Sequence, residues 1–195
     1  MRKKIILLVI NSLLVISVEA QGFKGGLHVG LLATQVDGDT HSGYKKAGLF
    51  AGAFTNYSFA NEKIKLQFEL NYAQKGSRET SAFRIKLHQV EPTALFRWNF
   101  WNHLFLSGGL SVNVLASGKM YKYNEIVTED IGTKFYLFNV EGIAEIGYSF
   151  HEHWGGSFRY IYSTPIGTTA KLKNGKVVQG YMFNNCMLFR LYYQF

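Results

Sequence analysis

Apolar and polar residues alternate along most of the chain, and this period of two predicts β-strands. In the clearest stretch, Lys63 to Tyr72, every second side chain from Ile64 onward is apolar. No segment after Gln21 has apolar residues at helical spacing over three turns. Similar or glycine-diluted alternation predicts six further strands: 23–34, 47–59, 103–117, 138–150, 154–163 and 181–195.

An eighth strand, from Phe83 to Phe100, is less regular. Phe83, Ile85 and Leu87 hold odd positions, whereas the apolar residues Val90, Ala94, Phe96 and Trp98 hold even ones. The slip predicts a β-bulge near His88. Pro92 lies in the same strand and counts against a regular central strand, because proline cannot donate to a ladder.

The connections between these strands alternate between short and long. The short ones are 60–62, 101–102 and 151–153, and the long polar ones are 35–46, 75–82, 118–134 and 164–176. Short turns on one side and long loops on the other predict an eight-stranded, antiparallel, up-and-down sheet. Closure into a barrel would hide its edges.

Aromatic residues indicate which face of the barrel points outward. A soluble barrel buries its apolar face, whereas a membrane barrel turns that face to lipid and carries aromatic girdles at both interfaces. Strands of about ten residues suit a tilted membrane crossing. The predicted girdles are Phe59, Phe100, Trp101, Phe150, Trp154 and Phe195 beside the short turns, and Tyr72, Phe83, Phe135, Tyr136 and Tyr162 near the long loops. The fold class expected is therefore an all-β transmembrane barrel.

The polar face then lines the lumen. Eight strands leave room only for side chains, so we expect a plugged interior held by ion pairs rather than an open, porin-like channel. The expected charge network is Lys24, Lys65, Glu69, Glu91, Arg97, Glu141, Glu145, Arg159 and Arg190.

The first twenty residues have the pattern of a secretory signal peptide. Three bases precede a short apolar run and the small residues before Gln21, which predicts cleavage after Ala20 and a barrel domain over 21–195. An uncleaved anchor or a buried first helix is the alternative. The formal net charge of +8 includes three bases and Glu19 in this segment. Export makes nucleic acid an improbable partner for the basic remainder.

Several segments resemble the PorT-like family of small outer-membrane β-barrel proteins. They are "FKGGLHVGL", "LQFELNYAQKG", "LFLSGGLSVNVLASGK", "FRYIY" and the closing "LYYQF". The resemblance implies an outer-membrane location in a Gram-negative bacterium and tolerates a proline in the fourth strand. It implies no common activity, although one branch of the family is linked to a secretion system. Phe195 looks like the end of the signal that barrel-assembly machinery reads.

Candidate catalytic and metal-binding residues are few. Asp37, Asp39, His41 and Ser42 share one loop, but turn-forming polar residues are ordinary there. His151 and His153 have no evident third metal ligand. Cys186 is a single cysteine, which excludes a disulfide framework, and we interpret it as an inert thiol facing the lumen. We therefore assign no catalytic residue, metal or cofactor.

The long loops carry more bases than acids, which favours the phosphates of lipopolysaccharide as a partner. The candidate contacts are Lys171, Lys173 and Lys176. We expect a non-enzymatic outer-membrane barrel, structural or binding a protein partner that the sequence does not identify. Three alternatives stay open: a lipid A-modifying enzyme, a soluble periplasmic ligand-binding barrel and a secretion-system accessory barrel.

Overall fold

The computed structural model describes residues 22–38, 43–59, 63–79, 83–122, 125–126, 134–173 and 176–195. The predicted signal peptide, 1–20, lies outside these ranges. Eight long strands make up the fold: β1 (Phe23–Asp37), β2 (Lys46–Ser58), β3 (Ile64–Lys75), β4 (Phe83–Asn99), β5 (Leu104–Lys122), β6 (Phe138–Ser149), β7 (Trp154–Lys173) and β8 (Lys176–Gln194). Two-residue strands at Arg78–Glu79, Glu125–Ile126 and Lys134–Phe135 add to the sheet. No helix in the described ranges is long and apolar enough to cross a membrane.

Each long strand pairs antiparallel with its neighbour in the chain, and β1 pairs with β8. The sheet therefore closes into an eight-stranded barrel without a free edge, as the alternation predicts. Backbone hydrogen bonds flank two of the short turns: the His151 amide donates to Trp154 O at 3.1 Å, and the Phe59 amide donates to Ile64 O at 3.1 Å.

Several strands extend further towards the long connections than the sequence predicts. Strand β1 reaches Asp37, and β5 reaches Lys122. Most of the predicted loop 164–176 is a β-hairpin, because β7 and β8 stay paired as far as Lys173 and Lys176. The register shifts on either side of Pro165, which has no amide proton to donate to the ladder.

The apolar face of the barrel points outward. Val29, Leu70 and Phe189 are each about 60% exposed. Their neighbours on the opposite face, such as His28 and Glu69, are almost fully buried. An apolar outer face and a polar inner face are typical of a barrel in a lipid bilayer, because exposing so large an apolar surface to water would be unfavourable. The soluble-barrel alternative is thus wrong.

The irregularity near His88 exists, but its nature differs from the prediction. His88 pairs with Ser117 and Gln89 pairs with Leu115, so the extra residue is Ala116 of β5. Strand β4 keeps its phase, and its odd-numbered Ile85 and Leu87 point inward, at most 1% exposed. Their apolar character reflects what they contact in the lumen, not a change of face.

Candidate functional site

The lumen is filled by side chains arranged in layers along the barrel axis. Two buried ionic clusters alternate with three apolar groups along the axis. The sequence pattern predicts a lumen lined by polar side chains, whereas the actual lumen is partly apolar. We call the clusters turn-side and loop-side, after the end of the barrel that each lies nearer.

The turn-side cluster consists of Glu69, Glu145, Arg159 and Arg190. Arg159 donates to both oxygens of Glu69, at 2.9 and 2.8 Å, and to Glu145 Oε2 at 3.0 Å. Arg190 donates to Glu69 Oε1 at 2.7 Å and also to Glu145. Each arginine therefore joins both carboxylates, and two positive charges balance two negative ones in a site sealed from water.

Neutral groups complete the hydrogen bonding of this cluster. Asn71 and Gln67 donate to Glu69 at 2.9 and 2.5 Å. His28 Nδ1 lies 3.2 Å from Arg190, and its Nε2 lies 2.7 Å from Asn71 Oδ1, which fits a neutral ring that accepts on one side and donates on the other. The ring also stacks on Phe50, with centroids 5.2 Å apart.

The loop-side cluster consists of Lys75, Glu91 and Glu141. Lys75 Nζ lies 2.6 Å from Glu91 Oε1 and also bonds Glu141 Oε2. Asn184 donates to Glu141 Oε1 at 3.3 Å. One lysine thus holds two carboxylates, and its own side chain is fully buried. The sequence places Lys75 at the start of an external loop, so the structure corrects that assignment.

Apolar residues separate the two clusters on every strand that contributes to both. Ala73 lies between Glu69 and Lys75 on β3, and Ile143 lies between Glu145 and Glu141 on β6. The separating layer is Leu32, Phe50, Ala73, Leu95, Ile143, Ile161, Cys186 and Leu188. Cys186 faces the lumen, as predicted, and is fully buried there. A second apolar group closes the loop side: Val36, Ile85, Leu87, Met120, Ile166 and Met182, with Phe135 packed against it rather than on the outer girdle.

An aromatic group closes the turn side, and glycines make room for its rings. Phe54, Phe105 and Tyr192 pack together in this group. A Cβ at Gly147 would lie 2.1 Å from Phe105 Cζ. Cβ atoms at Gly26 and Gly155 would meet Phe54 and Tyr192 at 2.2 Å. Bulky rings in an eight-stranded lumen therefore require these glycines.

Arg97 belongs to the aromatic end rather than to an ion pair. Its guanidinium carbon lies 3.5 Å from the centroid of the Phe105 ring, and it donates to Asn99 Oδ1 and Ser149 Oγ at 3.2 and 3.4 Å. Lys24 is exposed and Lys65 is half-buried at the adjacent rim, where both line a cavity of about 210 Å³ with Arg97. The six other predicted network residues lie in the two clusters.

The remaining candidates are dispersed. Asp37 accepts hydrogen bonds from Gln35 and Asn185 at 2.5 and 3.1 Å, while Asp39, His41 and Ser42 lie outside the described residues. The rings of His151 and His153 lie 6.3 Å apart at a short turn. No group of three or more potential metal ligands occurs in the described part of the chain. The side chains of Lys171, Lys173 and Lys176 also lie outside it.

Residues 19–163 match the family described as outer membrane protein beta-barrel domain, which is most of the chain. The fold is similar to the solved structure of Neisserial surface protein A: TM-score 0.60, 11% identity, 90% of this chain and 98% of that one covered. It is also similar to Ail, the attachment invasion locus protein of Yersinia pestis: TM-score 0.54, 13% identity, with 88% and 98% covered. At these identities the likeness shows the fold alone. No curated protein sequence matches the chain.

Proposed function

The chain belongs to the outer membrane protein β-barrel domain family, and from this premise we propose that it is a closed, non-enzymatic barrel that presents its external end to a partner. The filled lumen carries the proposal. Opening a path for ions would require separating buried charges that are each within hydrogen-bonding distance of an opposite charge. Breaking such pairs in a low-dielectric interior is costly.

Electrical measurement tests the closed lumen directly. Purified barrel inserted in a planar bilayer should give no large, stable conductance steps. The double variant Arg159→Ser, Arg190→Ser removes both cations of the turn-side cluster and shortens two long side chains. It should leak more than the native barrel if these side chains form the plug. Large steps from the native barrel would contradict the proposal.

External binding is the activity that the geometry favours. The backbone of the β7–β8 hairpin stays paired as far as Lys173 and Lys176, beyond the bulge at Pro165, so these strands extend past the barrel wall as a β-ladder. We propose that Lys171, Lys173 and Lys176 on this hairpin contact lipopolysaccharide phosphates. Replacing all three with glutamine should reduce lipopolysaccharide co-purification, and unchanged retention would argue against these contacts.

A lipid A-modifying enzyme is the competing function. It would need reactive groups facing the membrane, whereas the acids of the turn-side cluster are buried and paired with arginines, and the buried His28 is bonded to Asn71. Mass spectrometry of lipid A from cells with and without the gene distinguishes the two: an enzyme alters the lipid A mass, and a binding barrel leaves it unchanged.

Three narrower proposals complete the assignment. The chain is exported by a signal peptide that is cleaved after Ala20. Barrel-assembly machinery recognises its last strand, which ends at Phe195, and the protein belongs to the PorT-like branch of small outer-membrane barrels. Amino-terminal sequencing of the mature protein tests the first. Replacing Phe195 with alanine should slow assembly. Loss of secretion in a deletion strain would place the protein with the secretion-linked branch of that family.

A further inference from the structure

We infer that the outer wall of the barrel carries a site for the phosphates of an anionic membrane lipid, formed by Arg78, Arg84, Lys86 and Lys119. We call it the wall site. It rests on the proposed function only in that the barrel sits in a membrane, and it is separate from the hairpin lysines.

The pairing of the strands puts the four bases on one face. Arg78 lies opposite Arg84, and Lys86 lies opposite Lys119. Arg84 and Lys86 alternate with Ile85 and Leu87, which are buried in the lumen, so these two bases are on the outward side of β4, and their cross-strand partners Arg78 and Lys119 share that side. Directly opposite residues have Cβ atoms about 5 Å apart, and Arg84 and Lys86 are about 7 Å apart along the strand.

Two pairs of like charges facing each other across a ladder destabilise a sheet unless an anion lies between them. Every ion pair among the described side chains lies inside the barrel, and none of these pairs includes one of the four bases. Lys86 is held over the ring of Tyr121, 5.1 Å from its centroid, which orients a cation without cancelling its charge.

The position on the wall identifies the occupant as a lipid. Along the outward side of β4, apolar Val90 is followed by His88 and then by Lys86 and Arg84, towards the loops. His88 hydrogen-bonds the Tyr72 hydroxyl at 2.6 Å, and Tyr72 pairs with Val90. A polar belt thus separates the exposed apolar wall from the bases, as acyl chains are separated from phosphates in a lipid.

The site is tested with barrel reconstituted in phosphatidylcholine nanodiscs that contain a few per cent of lipid A. Native mass spectrometry then counts the lipid A molecules retained per barrel. The three arms are bisphosphorylated lipid A, dephosphorylated lipid A with the same acyl chains, and bisphosphorylated lipid A with excess inorganic phosphate. We expect retention in the first arm, little in the second, and little change from the first to the third.

The triple variant Arg84→Gln, Lys86→Gln, Lys119→Gln should lower retention of bisphosphorylated lipid A between about tenfold and a hundredfold. The matched control, Lys24→Gln, Lys45→Gln, Lys63→Gln, removes three exposed bases elsewhere and should leave retention unchanged. The single variant Lys86→Gln keeps the test available if the triple variant fails to fold. Lys86→Arg should retain the lipid.

Equal retention by native barrel and triple variant would overturn the wall site, as would complete displacement by inorganic phosphate or equal binding of dephosphorylated lipid A. None of these results bears on the closed lumen, which is judged by conductance. Conversely, a conducting barrel that still selects phosphorylated lipid A would overturn the proposed function and leave the wall site standing.

Discussion

The two ionic clusters of the lumen balance a pair of buried carboxylates in different ways. In the turn-side cluster, two arginines each bond both Glu69 and Glu145, so every charge has two opposite partners. In the loop-side cluster, Lys75 alone serves Glu91 and Glu141. The first arrangement is redundant and electrically balanced, whereas the second depends on a single ammonium group.

This difference teaches where the barrel is vulnerable. Losing one arginine leaves the other to bridge both carboxylates, since the planar fork of arginine makes several directed bonds. Losing the lysine leaves two carboxylates buried side by side without a cation. A buried charge without a partner is among the most destabilising defects a protein can carry.

The variant Lys75→Met should therefore have the largest effect. We expect a loss of about 3–5 kcal/mol in the free energy of unfolding, because Glu91 and Glu141 remain buried without a counter-charge. Urea unfolding in phospholipid vesicles, followed by gel mobility without heating, measures it. The compensating variant Lys75→Met, Glu91→Gln, Glu141→Gln should recover much of the loss. No recovery would mean that the lysine acts through packing instead.

The variant Arg190→Met should cost less, about 2–3 kcal/mol, because Arg159 still bonds both carboxylates of the cluster. The same unfolding measurement applies. A cost equal to or greater than that of Lys75→Met would refute the view that the turn-side cluster is redundant.

The barrel itself was predictable from the sequence, because outward positions along the middle of the wall are mostly apolar. From Ile64 to Tyr72, for example, every second residue is apolar and faces the lipid. The direction of the apolar face also followed from aromatic residues beside the turns, such as Trp101 and Phe150, which are exposed at the rim.

The layers of the lumen were not predictable, because inward positions obey no common rule. Apolar Leu32 and Phe50 point inward, and so does polar His28. Which type of residue fits at an inward position depends on its neighbours across the lumen, and these come from strands distant in the sequence. Lys75 ends a strand just before a glycine, a position where sequence alone indicates solvent. Its burial is explained by its partners Glu91, on the adjacent strand β4, and Glu141, on the more distant strand β6.

The variant Gly147→Val tests whether the aromatic group at the turn side needs a glycine next to the Phe105 ring. The new side chain would collide with the Phe105 ring, on which Arg97 stacks. We expect a loss of about 1–3 kcal/mol from overpacking. Gly142→Val is the matched control on the same strand, since a Cβ there meets nothing closer than 3.9 Å. Equal losses would show that strand conformation, not ring packing, is responsible.

The smallest expected effect is the coupling between the clusters. Among the described side chains no ion pair joins one cluster to the other, and the layer containing Ala73 and Ile143 separates them. The losses from Lys75→Met and Arg190→Met should therefore add to within about 0.5 kcal/mol in the double variant. A larger coupling energy, in the same unfolding measurement, would show that the two clusters behave as one.

The turn-side cluster also bears on how the barrel reaches its native state. Glu69 and Arg190 are 121 positions apart in the chain yet bond each other at 2.7 Å. Glu145, Arg159 and Arg190 lie on the consecutive strands β6, β7 and β8 and pair there. Glu69 lies on β3 and meets its two arginines only when the first and last strands pair, so until then its carboxylate would face hydrocarbon in any half-inserted sheet, at a prohibitive energy. We therefore expect strand insertion and cylinder closure to occur as one concerted event, with partially inserted intermediates too sparse to detect.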